Sequence, residues 1–341
     1  MTASLVQSGR SRNLAAGLVL LLVLLALVAL ASLAVGARAI PLGEVMHALI
    51  DPAAEGTNAT ILRDLRVPRT LLGLLVGAAV GLAGAIMQGV TRNPLADPGL
   101  LGINAGAALF VVLGISLFGL TSLPAYVWLG FAGAAVATVL VYSVASLGRE
   151  GATPVKLALA GAAITAAFNS IVTGVLMTDA TTLDAFRFWQ VGSLAGRGND
   201  VLLGVAPFLV AGIALALITG RLLDAMALGD DIARGLGQRV MLSRGVAALA
   251  WIVLAGGATA AAGPIAFVGL TVPHAARAIT GPSYRWILPY CAVMAPILLL
   301  SADILGRVLA PPGELQVGIV TAAIGAPLFI LLVRRRRLAE L

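Results

Sequence analysis

Residues 65–110 read LRVPRTLLGLLVGAAVGLAGAIMQGVTRNPLADPGLLGINAGAALF. Arg63, Arg66 and Arg69 crowd the entrance, and from Thr70 to Thr91 the chain carries no charge. A run of that length matches the hydrocarbon thickness of a bilayer and reads as a membrane span. Gly73, Gly77 and Gly81 recur every fourth residue, so they share one helix face and let a neighbouring backbone come close. Gln88, seven residues past Gly81, falls on that same face. Arg92, Asn93, Pro94, Asp97 and Pro98 then end the helix with two proline-punctuated turns before a second Gly-rich apolar segment. By itself this is a tightly packed membrane hairpin with a polar turn. Gly73, Gly77, Gly81, Gln88, Asn93 and Pro94 are its candidates for helix packing or for lining a path.

The rest of the 341 residues agrees with a membrane setting. The chain is 60% hydrophobic with a mean hydropathy of +1.03, too apolar for a soluble globular protein. Only 11% of residues are charged, and most of these fall between apolar runs, where a charge avoids the bilayer centre. The net charge of +7 is scattered among the spans instead of forming a patch, which fits membrane orientation better than nucleic-acid binding. Two histidines, His47 and His274, and one cysteine, Cys291, cannot build a typical transition-metal site or an internal disulfide. The single lysine, Lys156, lies between Val155 and Leu157, so no Walker A loop is present and any ATP energy must come from a partner.

Residues 65–110 resemble the signature of permease subunits of ATP-driven importers for iron-siderophore complexes and vitamin B12. The likeness continues in LGDDIARGLG (228–237), GPIAFVGLTVPHAARAITG (263–281), ADILGR (302–307) and PGELQVGIVTAAIGAP (312–327). With FRFWQVGSL (186–194) added, the pattern is most similar to the ferric enterobactin type. The resemblance implies an all-α permease of the type II importer class, pairing with a second permease chain, like or unlike. It also implies two cytoplasmic ATPase subunits that use ATP and magnesium, and an extracytoplasmic solute-binding protein. This chain would bind no cofactor and catalyse no covalent chemistry. Its task would be to pass a ferric siderophore across the cytoplasmic membrane by alternating access. Haem or vitamin B12 as cargo, and an ion-coupled secondary transporter, are the alternatives; an intramembrane enzyme finds no HExxH, GxSxG or carboxylate pair in a span.

One domain, 1–341, is expected, with about ten spans near 14–36, 69–91, 99–119, 125–147, 155–178, 201–220, 242–262, 265–280, 286–309 and 316–333. Ala37-Arg38-Ala39 resembles a signal-peptidase site, but the apolar run before it exceeds the roughly 7–15 residues of a signal core and reads as a retained span. Ile40–Ile50 reads as a short helix at the outer surface and 51–62 as a polar loop. With a cytoplasmic N-terminus, the inner segments hold Arg10, Arg12, Arg92, Arg149, Lys156, Arg221, Arg234, Arg239, Arg244, Arg277, Arg285 and Arg334 to Arg337, fifteen of the 22 basic residues. That bias places both termini inside.

Three groups are candidates for function. Within the polar insertion 226–245, Asp230 or Asp231 can cap a short helix through Leu236 with Gly237 as its stop, and Ile232, Ala233 and Leu236 form an apolar edge. The resemblance makes Gly229, Asp230, Asp231, Ile232, Arg234, Leu236 and Gly237 the coupling segment that docks in an ATPase groove. Arg66, Arg69 and Arg307 lie at outer-facing ends, where the resemblance implies that they meet acidic residues of the binding protein; guanidinium forks suit carboxylates. Asp303 has Arg307 one turn on and reads as its structural partner. Phe186, Phe188 and Trp189 read as an interfacial aromatic belt. By the same resemblance Gly148 to Pro154 borders a cytoplasmic gate, and Gln316, where the family usually has proline, should loosen the outer turn before the last span.

Overall fold

The computed structural model describes residues 2–335 apart from 37, 52, 98, 100–101, 148–152 and 312, without the side chains of 2–10, 154, 188 and 331–335. The described residues form helices α1 (Thr2–Ala34), α2 (Leu42–Ile50), α3 (Thr57–Thr60), a π-helical turn at Ile61–Arg66, α4 (Val67–Thr91), α5 (Ile103–Phe118), α6 (Leu123–Ala145), α7 (Pro154–Thr178) and α8 (Ala180–Gln190). They continue as α9 (Asn199–Ile218), α10 (Gly220–Ala227), α11 (Asp230–Gly235), α12 (Val240–Ala262), α13 (Val268–Thr280), α14 (Tyr284–Leu309) and α15 (Val317–Arg335). Seven are long and apolar enough to cross a membrane, and α5 and α15 are shorter apolar helices. Pro98, most of Gly148 to Pro154, and the last two arginines of the tail lie outside the described residues.

The quoted stretch is the axis of the bundle. Of the most apolar part of the Thr57–Thr91 span, 78% is buried, against 17% for α7 and none for α1. Its small residues explain this. Gly77 meets the Cα of Pro296 and Gly81 meets Ala295, both on α14, and a Cβ at Gly84 would overlap the Gly269 carbonyl of α13. Backbones this close gain dispersion contact along their whole length, which is what holds helices together in lipid. Gln88 turns to α13 and not α14, donating to the Leu270 carbonyl at 3.4 Å. Asn93 is exposed, and its Oδ1 accepts from the Leu95 N–H (2.9 Å), an Asx turn that ends α4.

Two crossings depart from simple helices. At about 1.5 Å per residue, the 13 residues of α13 span roughly 20 Å, short of a core about 30 Å thick. Non-helical residues 263–267 precede it, with Gly263 and Phe267 both at positive φ. The link between α4 and α5 also folds back toward the middle: Asn104 Oδ1 accepts from Thr259 Oγ1 (2.9 Å), beside Asp97 and Val80, around a cavity of about 20 Å³. Such irregular backbone survives within a membrane only where protein covers it or it lines a water-filled cavity.

Some local expectations need correction. The segment 51–62 is helical from Thr57. Residues 180–190 form α8, because the Asp179 carboxylate accepts from the N–H groups of Thr181 (3.0 Å) and Thr182 (3.1 Å) and caps them. Those Thr182 bonds hold the Asp179 carboxyl below the usual carboxylate range. Phe186 and Trp189 are not an interfacial belt but core residues, both buried with ring centroids 5.5 Å apart. The turn before α15 is pinned, since the Leu315 N–H donates to the Gly306 carbonyl (3.0 Å) and the Leu315 carbonyl packs where a Cβ on Gly306 would stand.

Candidate functional site

At the end expected to face outward, the chain gathers its arginines around a cavity of about 480 Å³ lined by Arg38, Arg66, Arg69, Arg197, Arg307 and Glu314 among others. The three sequence candidates do come together here, yet most of their donors are already used. Asp303, 1% exposed, accepts from Arg69 Nε (3.0 Å) and Nη2 (2.7 Å) and from Arg307 Nε (3.1 Å) and Nη2. Arg69 Nη1 also reaches Glu314 Oε2 at 2.7 Å. Arg307 continues to the Ser32 carbonyl (2.8 Å) and hydroxyl (2.8 Å), and that hydroxyl lies 2.8 Å from Thr70 Oγ1.

Arg66 closes the frayed end of α1, donating to the carbonyls of Leu33 (2.6 Å), Ala34 (2.9 Å) and Arg38. A cation at a helix C-terminus satisfies carbonyls that have no intrahelical partner and opposes the negative dipole end. Arg66 and Arg307 are therefore scaffold as well as lining, and the free cluster expected at the outer surface is a partly neutralised knot.

Two cavity residues had no signal in the sequence beyond their charge. Arg197 is 5% exposed, donates Nε to the Ser193 carbonyl (3.4 Å), and has no carboxylate at ion-pair distance among the described residues. Burial pushes its pKa down to about 10, with Tyr126 and Asp200 partly offsetting the loss, so it stays charged at neutral pH. Arg38, exposed, borders the same cavity. Asp303 and Glu314 match Arg69 and Arg307, which leaves Arg38, Arg66 and Arg197 as uncompensated charge around the opening.

The opposite end carries α10 and α11. α11 forms at the expected place, but the carboxylate of Asp230 caps nothing: it turns inward and accepts from Arg92 and from Arg244 Nη2 (2.8 Å). The N-cap is Gly229 at φ +111°, without a side-chain cap bond. Ala233 is buried against the body, so the uncovered apolar edge consists of Ile232 (54% exposed) and Leu236 (67% exposed). Asp231 and Arg234 pair at 2.9 Å on the solvent side, and Gly237 closes the segment at φ +82°. This is a small apolar ridge framed by charge.

A third feature lies between the ends. α7 is the least buried of the spans past α1, yet Thr165, Asn169 and Thr173 follow one another at helical spacing, with Asn169 and Thr173 exposed. Polar side chains part-way along an apolar span are costly against lipid, which favours a neighbouring helix or water on that face. The glycines of α4, by contrast, are occupied by neighbours: Gly77 and Gly81 by α14, Gly84 by α13, and Gly73 by Leu300 and Leu194.

Comparison with known proteins joins these features to a lineage. The family model described as the FecCD transport family matches residues 23–335. The chain is 47% identical over 317 residues to the ferric enterobactin transport system permease protein FepD of Escherichia coli K12, covering 93% of this chain and 94% of that protein. It is 43% identical over 319 residues to the probable siderophore transport system permease protein YfiZ of Bacillus subtilis 168, covering 93% and 95%. Among solved structures, a metal-chelate type ABC transporter in an inward-facing conformation superposes with a TM-score of 0.81 at 29% identity, covering 94% of this chain and 99% of that one. The chain belongs to the FecCD transport family.

Proposed function

We propose that this multi-pass membrane protein is the permease subunit of an ATP-binding-cassette importer that carries a ferric siderophore inward by alternating access. The observation that carries the reading is the pairing, on one chain, of an outer basic cavity with an inner helix whose apolar edge is uncovered. A solute-binding protein presents carboxylates to the cavity, where Arg66, Arg69 and Arg307 are joined by Arg38 and Arg197. An ATPase subunit receives Ile232 and Leu236, with Gly229, Asp231, Arg234 and Gly237 shaping the ridge, and it alone uses ATP and magnesium. Two permease chains stand together with the polar side of α7 between them, and both termini lie in the cytoplasm. The names of FepD and YfiZ support the cargo class. Asp303 offers nothing to an ion-coupled mechanism, since two arginines hold it.

Uptake into proteoliposomes decides the matter. Complexes assembled with the ATPase and binding protein should accumulate ferric enterobactin only with ATP on the cytoplasmic face, and collapse of proton and sodium gradients should change nothing. Uptake that follows the gradient at constant ATP would refute the reading, and preference for haem or vitamin B12 would move the cargo assignment alone.

A further inference from the structure

The segment 220–239 holds the body of the protein by two carboxylates. Asp224, on α10, accepts from the Tyr284 N–H and from Ser283 Oγ (3.0 Å), so it caps the first turn of α14 from another helix. Tyr284 is held in turn, its hydroxyl accepting from Arg277 Nη2 (3.0 Å) and its ring packed on Gly89 of α4. Asp230, the first residue of α11, accepts from Arg92, which follows α4, and from Arg244, on α12. Arg92 also donates Nε to the Met226 carbonyl (3.0 Å) and sits at φ +50°, a region that residues with a Cβ seldom occupy.

The helices gripped this way are α4, α12 and α14, whose apolar windows are 78%, 67% and 61% buried, the three highest values among the spans. α10 packs on these three and on α9, and α11 packs on α10 and α12. Gly229 and Gly237, both at positive φ, flank α11. Beyond the burial of Ala233 and the Gln238 bond to the Leu222 carbonyl (3.0 Å), the charge-assisted bonds of these two carboxylates tie this six-residue helix and α10 to the body.

We propose that Asp224 and Asp230 are positioning residues that clasp the coupling segment to the α4–α12–α14 core, so that displacement of α11 moves these helices as one body. The proposal rests on the docking of α11 to an ATPase. Without the clasps, α11 follows the ATPase while the core stays behind, and hydrolysis proceeds without transport. Arg92 and Arg244 act as the fixed posts for Asp230, and the α14 N-terminus as the post for Asp224.

The test uses the full complex in proteoliposomes, scored as siderophore transported per ATP hydrolysed in preparations that retain both ATPase subunits. Asp230→Asn combined with Asp224→Ala should lower that ratio at least fivefold, and Asp230→Glu should restore at least half of it. Asp224→Asn keeps a capping oxygen and therefore the fold; it should fall between wild type and Asp224→Ala. A ratio equal to wild type in the assembled double variant overturns the clasps. Leu236→Asp separates the premise: if ATPase still co-purifies with that variant, the docking reading fails, whatever the ratio does.

Discussion

At the residue scale the helix contacts are decided by atoms that are missing. A methyl at Gly84 would overlap the Gly269 carbonyl, so Gly84→Ala should destabilise the purified permease by about 1–3 kcal/mol or more. Gly43, with open space around it, serves as the control, and its change to Ala should leave the thermal melt unmoved or slightly raised. Asp303 poses the complementary case. Removing it in Asp303→Ala leaves Arg307 buried without its carboxylate, at a cost of about 3–5 kcal/mol, and adding Arg307→Met should return part of that loss. If the single variant melts like wild type, the knot is not a stabilising pair. Arg197 runs the other way: a charge buried without a carboxylate weakens the fold, so Arg197→Met should raise stability by on the order of 1–3 kcal/mol while slowing association of the binding protein at low salt. A slower on-rate that does not recover toward wild type as salt rises would argue against an electrostatic role.

At the element scale, α11 shows why a motif and its chemistry can part company. The string LGDDIARGLG does make a short helix, yet a first-turn aspartate with two arginines in reach makes ion pairs instead of a cap. Ile232 and Leu236 remain uncovered for a partner. Leu236→Asp should therefore leave the isolated permease's melting unchanged, because the side chain is mostly in solvent, and should abolish ATPase co-purification by putting a charge into an apolar groove. Retained assembly is the result that removes α11 from the interface.

At the scale of the whole molecule, the least buried segments say where other chains and water belong. α1 presents apolar residues such as Leu20 and Leu24, which suits lipid, whereas α7 presents Asn169 and Thr173. In the assembled importer, Asn169→Cys should react with a membrane-impermeant, water-soluble thiol reagent, and Leu24→Cys should not. The native thiol, Cys291, is buried and gives a silent background. Equal labelling at both positions would remove α7 from the path.

What the sequence by itself determined was everything that depends on local pattern. The membrane setting, the place of every long span, the glycine face of α4, the Asp303–Arg307 pairing one turn apart and the short helix near 230 follow from pattern along one chain, and the family resemblance added the all-α permease class. What only the tertiary structure decided was which groups meet across large separations. Arg69 finds Asp303 over 234 residues, Arg92 finds Asp230 over 138, and Asp224 caps a helix 60 residues away. The physical reason is that a guanidinium or carboxylate reads the same in sequence whether it is solvated, snorkelling or buried, and only the packing of the helices fixes the acceptors within its reach. The same packing turned Phe186 and Trp189 inward and left α13 a 13-residue helix behind a non-helical stretch that ends at the left-handed Phe267.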